Sequence, residues 1–296
     1  MGPCEYLEKH NILFQKNKDT SRISSIKAGG AANLFIIPKD EGELILAVKI
    51  LLYFGMRFKV IGACTNTAFY DDGYSGAVIS TSGINGCSVN ENSIELGCGV
   101  SFSAISKLLA RRDAYISSEL TGIPGSIGGM VRSNAGAYGA ELGDFFKSGR
   151  FLDISSMKEF ELNCSDMNFG YRKSILQKGG AILLSAKFAL LHKNSRDIFT
   201  EINSFALLRR EKQPSNPSLG SFFKRSGSYA VSKMIDEAGL RGYRIGDAAV
   251  SEKHAGFIVN LGCATVEDID SVAKHVENVI YKQYDIKIER EVELIR

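Results

Sequence analysis

The chain has 296 residues, of which 44% are hydrophobic and 23% are charged, with a formal net charge of +3 at pH 7. That length predicts two or three domains with large cores, and the composition excludes a disordered or collagen-like chain. Because lysine and arginine are interspersed with acids, no basic stripe indicates a nucleic-acid partner.

The first part of the chain, residues 1–75, is predicted to form a small α+β unit. Strands are expected at residues 33–37 and 58–62, with a helix over 40–55 whose residues Asp40 and Glu43 have capping-box spacing. Residues 62–76 are expected to form a long polar connector that leads to a strand at 76–80.

Residues 76–200 are predicted to form a second α+β unit. A strand at 93–100 and a helix at 101–112 precede strands at 149–155, 158–162 and 181–190. Between the helix and these strands, Gly122–Gly143 holds 7 glycines in 22 residues. Apolar residues between the glycines favour a buried segment whose backbone is approached by another body, such as a dinucleotide pyrophosphate, over a mobile loop.

The usual dinucleotide fingerprint is absent from the sequence. In "LGCGVSF", Phe102 takes the place of the third glycine of G-x-G-x-x-G. A dinucleotide bound here would therefore lie in a fold that is not Rossmann-like.

Residues 201–296 are predicted to form a third, βα-type unit. A helix over 195–212 leads into it, followed by a proline-bearing linker at 213–221. Helices are expected at residues 229–239 and 265–284, the second with Thr265 as its N-cap, and strands at 256–260 and 286–295.

The 6 cysteines lie far apart and form no C-x-x-C pair, so neither a metal site nor a disulfide framework is predicted. No stretch reaches the roughly 18 apolar residues of a membrane span, and the N-terminus lacks the pattern of a signal peptide. We expect a cytoplasmic monomer with reduced thiols and with neither membrane nor nucleic-acid partners.

Six motifs together carry a family resemblance: "GACTNTAFYDDG", "GIPGSIGGMVRSNAGAYG", "FGYRKS", "GSFFKR", "EAGLRG" and "EREVELI". From about Lys27 to the C-terminus the chain resembles the UDP-N-acetylenolpyruvoylglucosamine reductases, the MurB family, in its shorter subgroup without an extra substrate-capping loop. The resemblance implies an α+β FAD-binding fold of the vanillyl-alcohol-oxidase/PCMH type, made of subdomains 1–75 and 76–200. A C-terminal α/β substrate-binding domain would follow at 201–296, and its last strand would return to the active site.

The resemblance also implies noncovalently bound FAD, which NADPH reduces as co-substrate. Two glycine-bearing segments would hold the flavin on bare backbone. Their matching residues are Gly62, Ala63, Cys64, Thr65 and Asn66 in the first segment, and Gly122, Pro124, Gly125, Ser126, Gly128, Gly129, Asn134 and Gly136 in the second.

The activity implied by the resemblance is reduction of UDP-N-acetylglucosamine enolpyruvate to UDP-N-acetylmuramate, for peptidoglycan synthesis. Hydride would pass from flavin N5 to substrate C3, and Ser221 would protonate C2. Arg172 would lie over the enolpyruvyl carboxylate, and Glu291 would stabilise the intermediate or take part in proton delivery. Without the resemblance, Arg172 is a surface arginine, Ser221 a turn serine and Glu291 a residue on the solvated face of a strand.

Four further residues match the family's substrate-binding positions: Tyr171, Lys212, Lys224 and His254. His254 stands where some members have glutamine. After "GSFFK" many members continue with Asn-Pro or Arg-Pro, whereas this chain has Arg225 and Ser226, so the contacts to uracil are expected to differ.

Two other functions remain compatible with the sequence. One is an oxygen-using oxidase on the same fold, which rapid reoxidation in air coupled to alcohol oxidation would indicate. The other is a sugar-nucleotide binding module without catalysis, whose ligand affinity would be unchanged by Ser221→Ala.

Overall fold

The computed structural model describes residues 2–227 and 229–296, and the chain divides into two compact units. The first unit comprises Met1–Lys16, Leu34–Ala63 and Gly76–Leu207, and the second comprises Asn17–Asn33, Cys64–Ser75 and Leu208–Arg296. Each unit has its own hydrophobic core, which is the usual mark of a separately packed body.

The α-helices of the described residues are α1 Pro3–Lys9, α2 Glu41–Tyr53, α3 Phe102–Ala110, α4 Ile127–Ser133, α5 Ser195–Lys212, α6 Val231–Glu237 and α7 Val266–Tyr284. Short 3-10 helices lie at Thr81–Gly83, Leu142–Asp144, Cys164–Met167 and Ile175–Lys178.

The strands are β1 Leu13–Asp19, β2 Ala31–Ile37, β3 Phe58–Ile61, β4 Thr67–Phe69, β5 Tyr74–Ser80, β6 Cys87–Asn90, β7 Ser93–Gly97, β8 Ala114–Tyr115, β9 Gly136–Ala137, β10 Ala140–Glu141, β11 Phe146–Asp153, β12 Glu159–Asn163, β13 Ala181–Ala189, β14 Leu191–His192, β15 Ser218–Ser221, β16 Arg244–Ile245, β17 Ala248–Val250, β18 Phe257–Asn260 and β19 Glu293–Ile295.

The first unit is built on an antiparallel five-stranded sheet with strand order β12-β11-β13-β7-β6. A four-stranded sheet has the order β1-β2-β5-β3, in which β3 runs parallel to β5. Helix α2 begins as predicted, because the Asp40 carboxylate accepts a hydrogen bond from the Glu43 amide at 2.8 Å.

The second unit is built on an antiparallel sheet with strand order β15-β18-β17-β16. Helix α7 packs its apolar face into the core of this unit, with Val266, Ile269 and Val276 fully buried. Its start is the predicted one, since the Asp268 amide donates to the Thr265 hydroxyl at 3.0 Å.

The glycine-rich segment contains a helix that the periodicity analysis did not predict. Glycines 128 and 129 lower the helix propensity of α4, and this hid the spacing of Ile127, Met130 and Val131. All three are buried, so packing against the core outweighs the weak propensity.

Three other predictions were wrong in part. The connector at 62–76 contains β4, and the linker at 213–221 ends in β15. The predicted strand at 286–295 is reduced to β19, which pairs in parallel with β4 in the register Leu294↔Ala68. Strand β4 pairs with β19, and β15 pairs with β18. Each pairing joins parts of the chain that are far apart in the sequence, so local patterns did not indicate them.

All six cysteines are free thiols. Across residues 2–227 and 229–296, none of the helices combines the length and the apolar character needed to cross a bilayer.

Candidate active site

In the first unit, Gly62 of the first predicted cofactor segment lies against Ser126 of the second. A Cβ atom on Gly62 would lie 2.0 Å from Ser126 Oγ, far inside any normal contact. Only glycine therefore allows the chain after β3 to pack this closely on the start of α4. Ala63, which follows Gly62, is exposed.

The start of α4 is held by backbone hydrogen bonds to the turn that precedes α3. The amides of Ile127 and Gly128 donate to the carbonyls of Val100 and Cys98, at 2.9 and 2.8 Å. The Ser126 hydroxyl accepts a hydrogen bond from the Gly129 amide at 3.4 Å and forms the N-cap.

The glycine-rich segment buries its apolar residues and leaves much of its bare backbone accessible. Gly122, Pro124 and Gly129 are exposed, and Gly125, Gly128 and Gly136 are half-buried, whereas Ser126 is buried. This arrangement presents backbone without intervening side chains to a ligand.

Asn134 was predicted to bind the cofactor, but the structure shows its side chain engaged by the protein. Its amide nitrogen donates to Glu141 at 2.7 Å and to the Gly170 carbonyl at 3.0 Å, and its amide oxygen accepts from the Gly143 amide at 2.8 Å. The residue has a left-handed φ of 43° and is 1% exposed. Asn134 thus ties the end of α4 to the loop that carries Tyr171 and Arg172.

Arg172 lies in a tight turn beside the glycine-rich segment. Gly170 and Lys173 exchange backbone hydrogen bonds at 3.2 and 3.0 Å, and Arg172 takes a φ of 52° within this turn. Its guanidinium donates to the Gly136 carbonyl at 2.8 Å and lies 5.2 Å from the centre of the Tyr171 ring. The turn therefore brings the predicted catalytic arginine next to a predicted cofactor residue.

In the second unit, Ser221 ends β15 at an irregular pairing with β18. Gly220 precedes it with a φ of 79°, a conformation that favours glycine, and the register shifts between Ser218 and Ser221. The Ser221 hydroxyl donates a long hydrogen bond of 3.4 Å to the Phe223 carbonyl. This weak bond leaves the hydroxyl able to turn toward another acceptor.

The backbone of Glu291 is fixed between Phe222, which follows Ser221, and Asn66 of the first cofactor segment. The Glu291 amide donates to the Phe222 carbonyl at 2.9 Å, and its carbonyl accepts from the Asn66 side chain at 2.8 Å. The Asn66 carbonyl in turn accepts from the Glu293 amide at 3.0 Å. Ser221, Glu291 and Asn66 are thus brought together, and Glu291 is half-buried rather than solvated.

Cys64 and Thr65 of the first cofactor segment belong to the second unit and contact Ser25 there. Cys64 has a φ of 53°, and its carbonyl accepts from the Ser25 amide at 3.1 Å, while the Thr65 carbonyl lies 3.5 Å from the Ser25 hydroxyl. Burial raises the pKa of the Cys64 thiol to about 12. The thiol is therefore protonated at neutral pH and is a poor nucleophile.

A partly buried charge network next to Glu291 was missed in the sequence. The Arg290 guanidinium donates to both carboxylate oxygens of Glu277, at 2.5 and 3.0 Å, and to Asp270 at 2.6 Å. Tyr70 and Lys274 also donate to Asp270, each at 2.7 Å. The sequence did contain one signal for this network: Asp270 is an acid among the buried apolar residues of α7, and a buried acid usually has a charged partner.

Asp270 stays ionised within this network. Burial by itself would raise the pKa of its carboxyl group, but the hydrogen bonds from Lys274, Arg290 and Tyr70 outweigh this and lower the pKa to about 2. Burial by itself would lower the pKa of Arg290, but its hydrogen bonds to Glu277 and Asp270 outweigh this and raise the pKa. The ion pair is therefore present throughout the neutral pH range.

The predicted substrate-binding residues of the second unit are more dispersed. Lys212 is exposed at the end of α5, and Lys224 pairs with Glu289 at 3.0 Å. His254 Nδ1 accepts from the Gly256 amide at 3.1 Å, so the neutral ring carries its proton on Nε2. Burial lowers the pKa of His254 and favours this neutral form.

Comparison with known proteins decides the family. The model of the UDP-N-acetylenolpyruvoylglucosamine reductase C-terminal domain matches residues 213–295, and that of an FAD binding domain matches residues 32–155. A UDP-N-acetylenolpyruvoylglucosamine reductase of Caldicellulosiruptor saccharolyticus is 39% identical over 98% of this chain and 94% of its own length. This chain belongs to the UDP-N-acetylenolpyruvoylglucosamine reductase family.

Solved structures agree with this assignment to the MurB family. The crystal structure of the MurB reductase from Thermus caldophilus matches with a TM-score of 0.82 and 25% identity, covering 96% of this chain and 99% of that one. Physcomitrella patens BBE-like 1 matches with a TM-score of 0.51 and 16% identity, covering 65% and 45%, and supports the fold alone. The predicted FAD-binding α+β fold with a C-terminal family domain is confirmed.

The residues of this MurB family member fit an FAD cofactor. A Cβ on Gly129 would meet no atom nearer than 3.6 Å, so the backbone here is open to a ligand, while a Cβ on Gly62 would collide with Ser126 Oγ in its present position. Bare amides and carbonyls in close-packed segments are suited to a pyrophosphate and a flat ring.

Proposed function

We propose that this chain reduces the enolpyruvyl double bond of UDP-N-acetylglucosamine enolpyruvate and forms UDP-N-acetylmuramate for peptidoglycan synthesis, with FAD as cofactor and NADPH as reductant. Family membership over nearly the whole length carries the proposal. We place the reaction in the cytoplasm, where nucleotide sugars and reduced nicotinamide are available, and expect the chain to act as a monomer. For its parts we propose flavin-binding subdomains at 1–75 and 76–200 and a substrate domain at 201–296.

The flavin would be held by the backbone of the two glycine-bearing segments. FAD bound there, once reduced by NADPH, would be the source of the hydride that adds to C3 of the substrate. Gly62 lets the two segments pack closely, and Gly129 leaves its backbone open to the flavin, where a side chain would stand in the way. Asn134 keeps the second segment fixed. The chain's contribution is to orient the ring and keep its neighbours in place.

Arg172 would bind the enolpyruvyl carboxylate. Addition of hydride at C3 leaves negative charge on C2 that spreads into this carboxylate, so a nearby cation stabilises the transition state more than the ground state. A guanidinium supplies two parallel donors in a fixed plane, and its bond to the Gly136 carbonyl restrains that plane. Tyr171 would cover the same part of the substrate.

Ser221 would donate its hydroxyl proton to C2. An aliphatic hydroxyl is a weak acid, but a carbanion next to a carboxylate is basic enough to take its proton. Glu291, whose backbone is held beside Ser221, would help Arg172 to stabilise the intermediate or would take part in delivering the proton that restores the Ser221 hydroxyl. Lys212 and Lys224 would pair with the diphosphate, and His254 Nε2–H would donate a hydrogen bond to the sugar nucleotide.

An anaerobic spectral titration of the purified protein tests the function. The protein is expected to show oxidised flavin absorbance that bleaches with NADPH and returns with UDP-N-acetylglucosamine enolpyruvate under nitrogen. If the absorbance of the oxidised flavin returns only when air is admitted, and its return is coupled to oxidation of an alcohol, the protein is an oxidase. A folded protein that binds the sugar nucleotide but cannot be loaded with FAD would leave the binding-module alternative.

Replacing Arg172 by lysine is expected to lower kcat/KM for the enolpyruvyl substrate by about 10- to 100-fold, the worth of a charge-assisted hydrogen-bond pair. Lysine keeps the charge and the same backbone strain at φ 52°, so the variant isolates the lost two-pronged geometry. Flavin reduction by NADPH should be unchanged. Arg111→Lys, at the exposed C-cap of α3, is the matched control, and equal loss in both variants would contradict the role.

A further inference from the structure

The segment that carries Glu291 is anchored through its neighbour. Residues 222–224 and 289–291 run antiparallel, with Phe223 opposite Arg290, and backbone bonds join Lys224 to Glu289 and Glu291 to Phe222. A pairing this short has few bonds to define its register. A side chain of this segment that is bonded to another element can therefore set the register of the pairing and with it the position of Glu291.

The Arg290 side chain provides such an anchor on α7. Its three hydrogen bonds reach Asp270 and Glu277, which lie two turns apart on the same face of that helix. Asp270 is 3% exposed at its side chain and is itself held by Tyr70, which directly follows β4. The planar guanidinium bonds both carboxylate oxygens of Glu277 and one of Asp270 from a single fixed plane, a geometry that the ammonium group of lysine does not supply.

A continuous series of contacts therefore links α7 to Glu291 and Ser221. The next residue in the chain after Arg290 is Glu291, whose backbone meets Phe222, the neighbour of Ser221. The guanidinium also lies 5.9 Å from the centre of the Phe222 ring. A change at Arg290 would thus act on Ser221 and Glu291 together, although it touches neither reacting group.

We propose that Arg290 is a positioning residue: its clamp on Asp270 and Glu277 sets the register of residues 289–291 against 222–224 and so holds the Glu291 carboxylate in place for the proton-transfer step. This inference rests on the proposed function. Misplacement of a catalytic group by about 1 Å lowers rates by about 100-fold, so even a small slip of this segment is measurable.

The test measures the two half-reactions of the flavin-loaded full chain separately by stopped-flow absorbance. Arg290→Lys is expected to slow reoxidation of the reduced flavin by UDP-N-acetylglucosamine enolpyruvate by about 10- to 100-fold. Reduction by NADPH and flavin content should stay near wild type, whereas the thermal midpoint is expected to fall because the partly buried ion pairs with Asp270 and Glu277 are weakened. If both half-reactions fall in parallel with flavin content, Arg290 has a structural role only and the inference is overturned.

Glu277→Gln gives a second, milder variant, because Glu277 is 27% exposed at its side chain and its loss leaves the bond to Asp270. Glu277→Gln should also slow reoxidation of the reduced flavin by the substrate, but by less than Arg290→Lys does. Arg244→Lys, in the exposed ion pair with Asp247, is the matched control and should change neither half-reaction.

A double-mutant cycle with Glu291→Gln shows whether Arg290 acts through Glu291. Residues that act through one another are non-additive, so the double variant should reoxidise at the rate of Glu291→Gln alone, within about twofold. Multiplicative losses, or a Glu291→Gln variant as fast as wild type, would overturn the inference. Failure of the proposed function is a different result, in which the wild-type protein itself shows no reoxidation by the substrate.

Discussion

Replacing Ser221 by alanine is expected to lower the rate of substrate-dependent flavin reoxidation by about 100- to 10,000-fold, the usual contribution of a positioned general acid. In the proposed mechanism, loss of the hydroxyl leaves the negative charge at C2 without a proton donor, so addition of hydride at C3 would not be trapped as product. Reduction of the flavin by NADPH needs no such proton and should proceed at the wild-type rate. Anaerobic stopped-flow measurement of both half-reactions checks this.

Two further substitutions sharpen the test of Ser221. Ser221→Cys supplies a stronger acid of similar size and should retain more activity than Ser221→Ala. Ser215→Ala, at an exposed position before β15, is the matched control and should behave as wild type. Reoxidation of Ser221→Ala at the wild-type rate would remove Ser221 from the mechanism.

Replacing Gly62 by alanine is expected to produce a protein with little bound FAD and a lower thermal midpoint. The added methyl group would lie 2.0 Å from Ser126 Oγ, so either the hydroxyl must leave its capping position or the two cofactor segments must separate. Overpacking of this kind costs about 1–3 kcal/mol, and a domain of this size loses about 2–4 °C per kcal/mol. Flavin absorbance per protein and a thermal melt measure the two effects.

A second-site substitution separates the collision from other causes. Ser126→Gly removes both atoms that the new methyl group would meet, and glycine is an acceptable N-cap at a cost of a few tenths of a kcal/mol, roughly. The double variant Gly62→Ala/Ser126→Gly should therefore recover most of the stability and flavin content. Gly86→Ala, where a Cβ meets no atom within 4 Å, is the control. Full flavin content in Gly62→Ala would contradict the close packing of the two segments.

The regular helices could be predicted because their signals are local. The capping residues Asp40 and Thr265 start α2 and α7 where expected, and α5 has the predicted bounds of 195–212. Within a helix each side chain meets partners three or four positions away, so spacing alone carries the information. The combination of motifs likewise identified the family and its flavin cofactor without coordinates.

Other features depended on contacts between residues far apart in the sequence. The bond from Asn66 to Glu291 spans 225 positions, and the backbone bond from Glu291 to Phe222 places Glu291 beside Ser221 rather than on a solvated strand face. The clamp of Arg290 on α7 has the same origin, since no periodicity links residue 290 to Asp270.

The sequence by itself determined helices α2, α3, α5, α6 and α7, the two glycine-bearing segments and the family, because propensity, capping and motif identity are properties of neighbouring residues. Only the tertiary structure decided that Gly62 packs on Ser126, that Asn134 ties down the arginine turn and that the chain end pairs with β4. Those contacts exist because burial of apolar side chains brings distant segments together, and the polar groups they carry then find their partners.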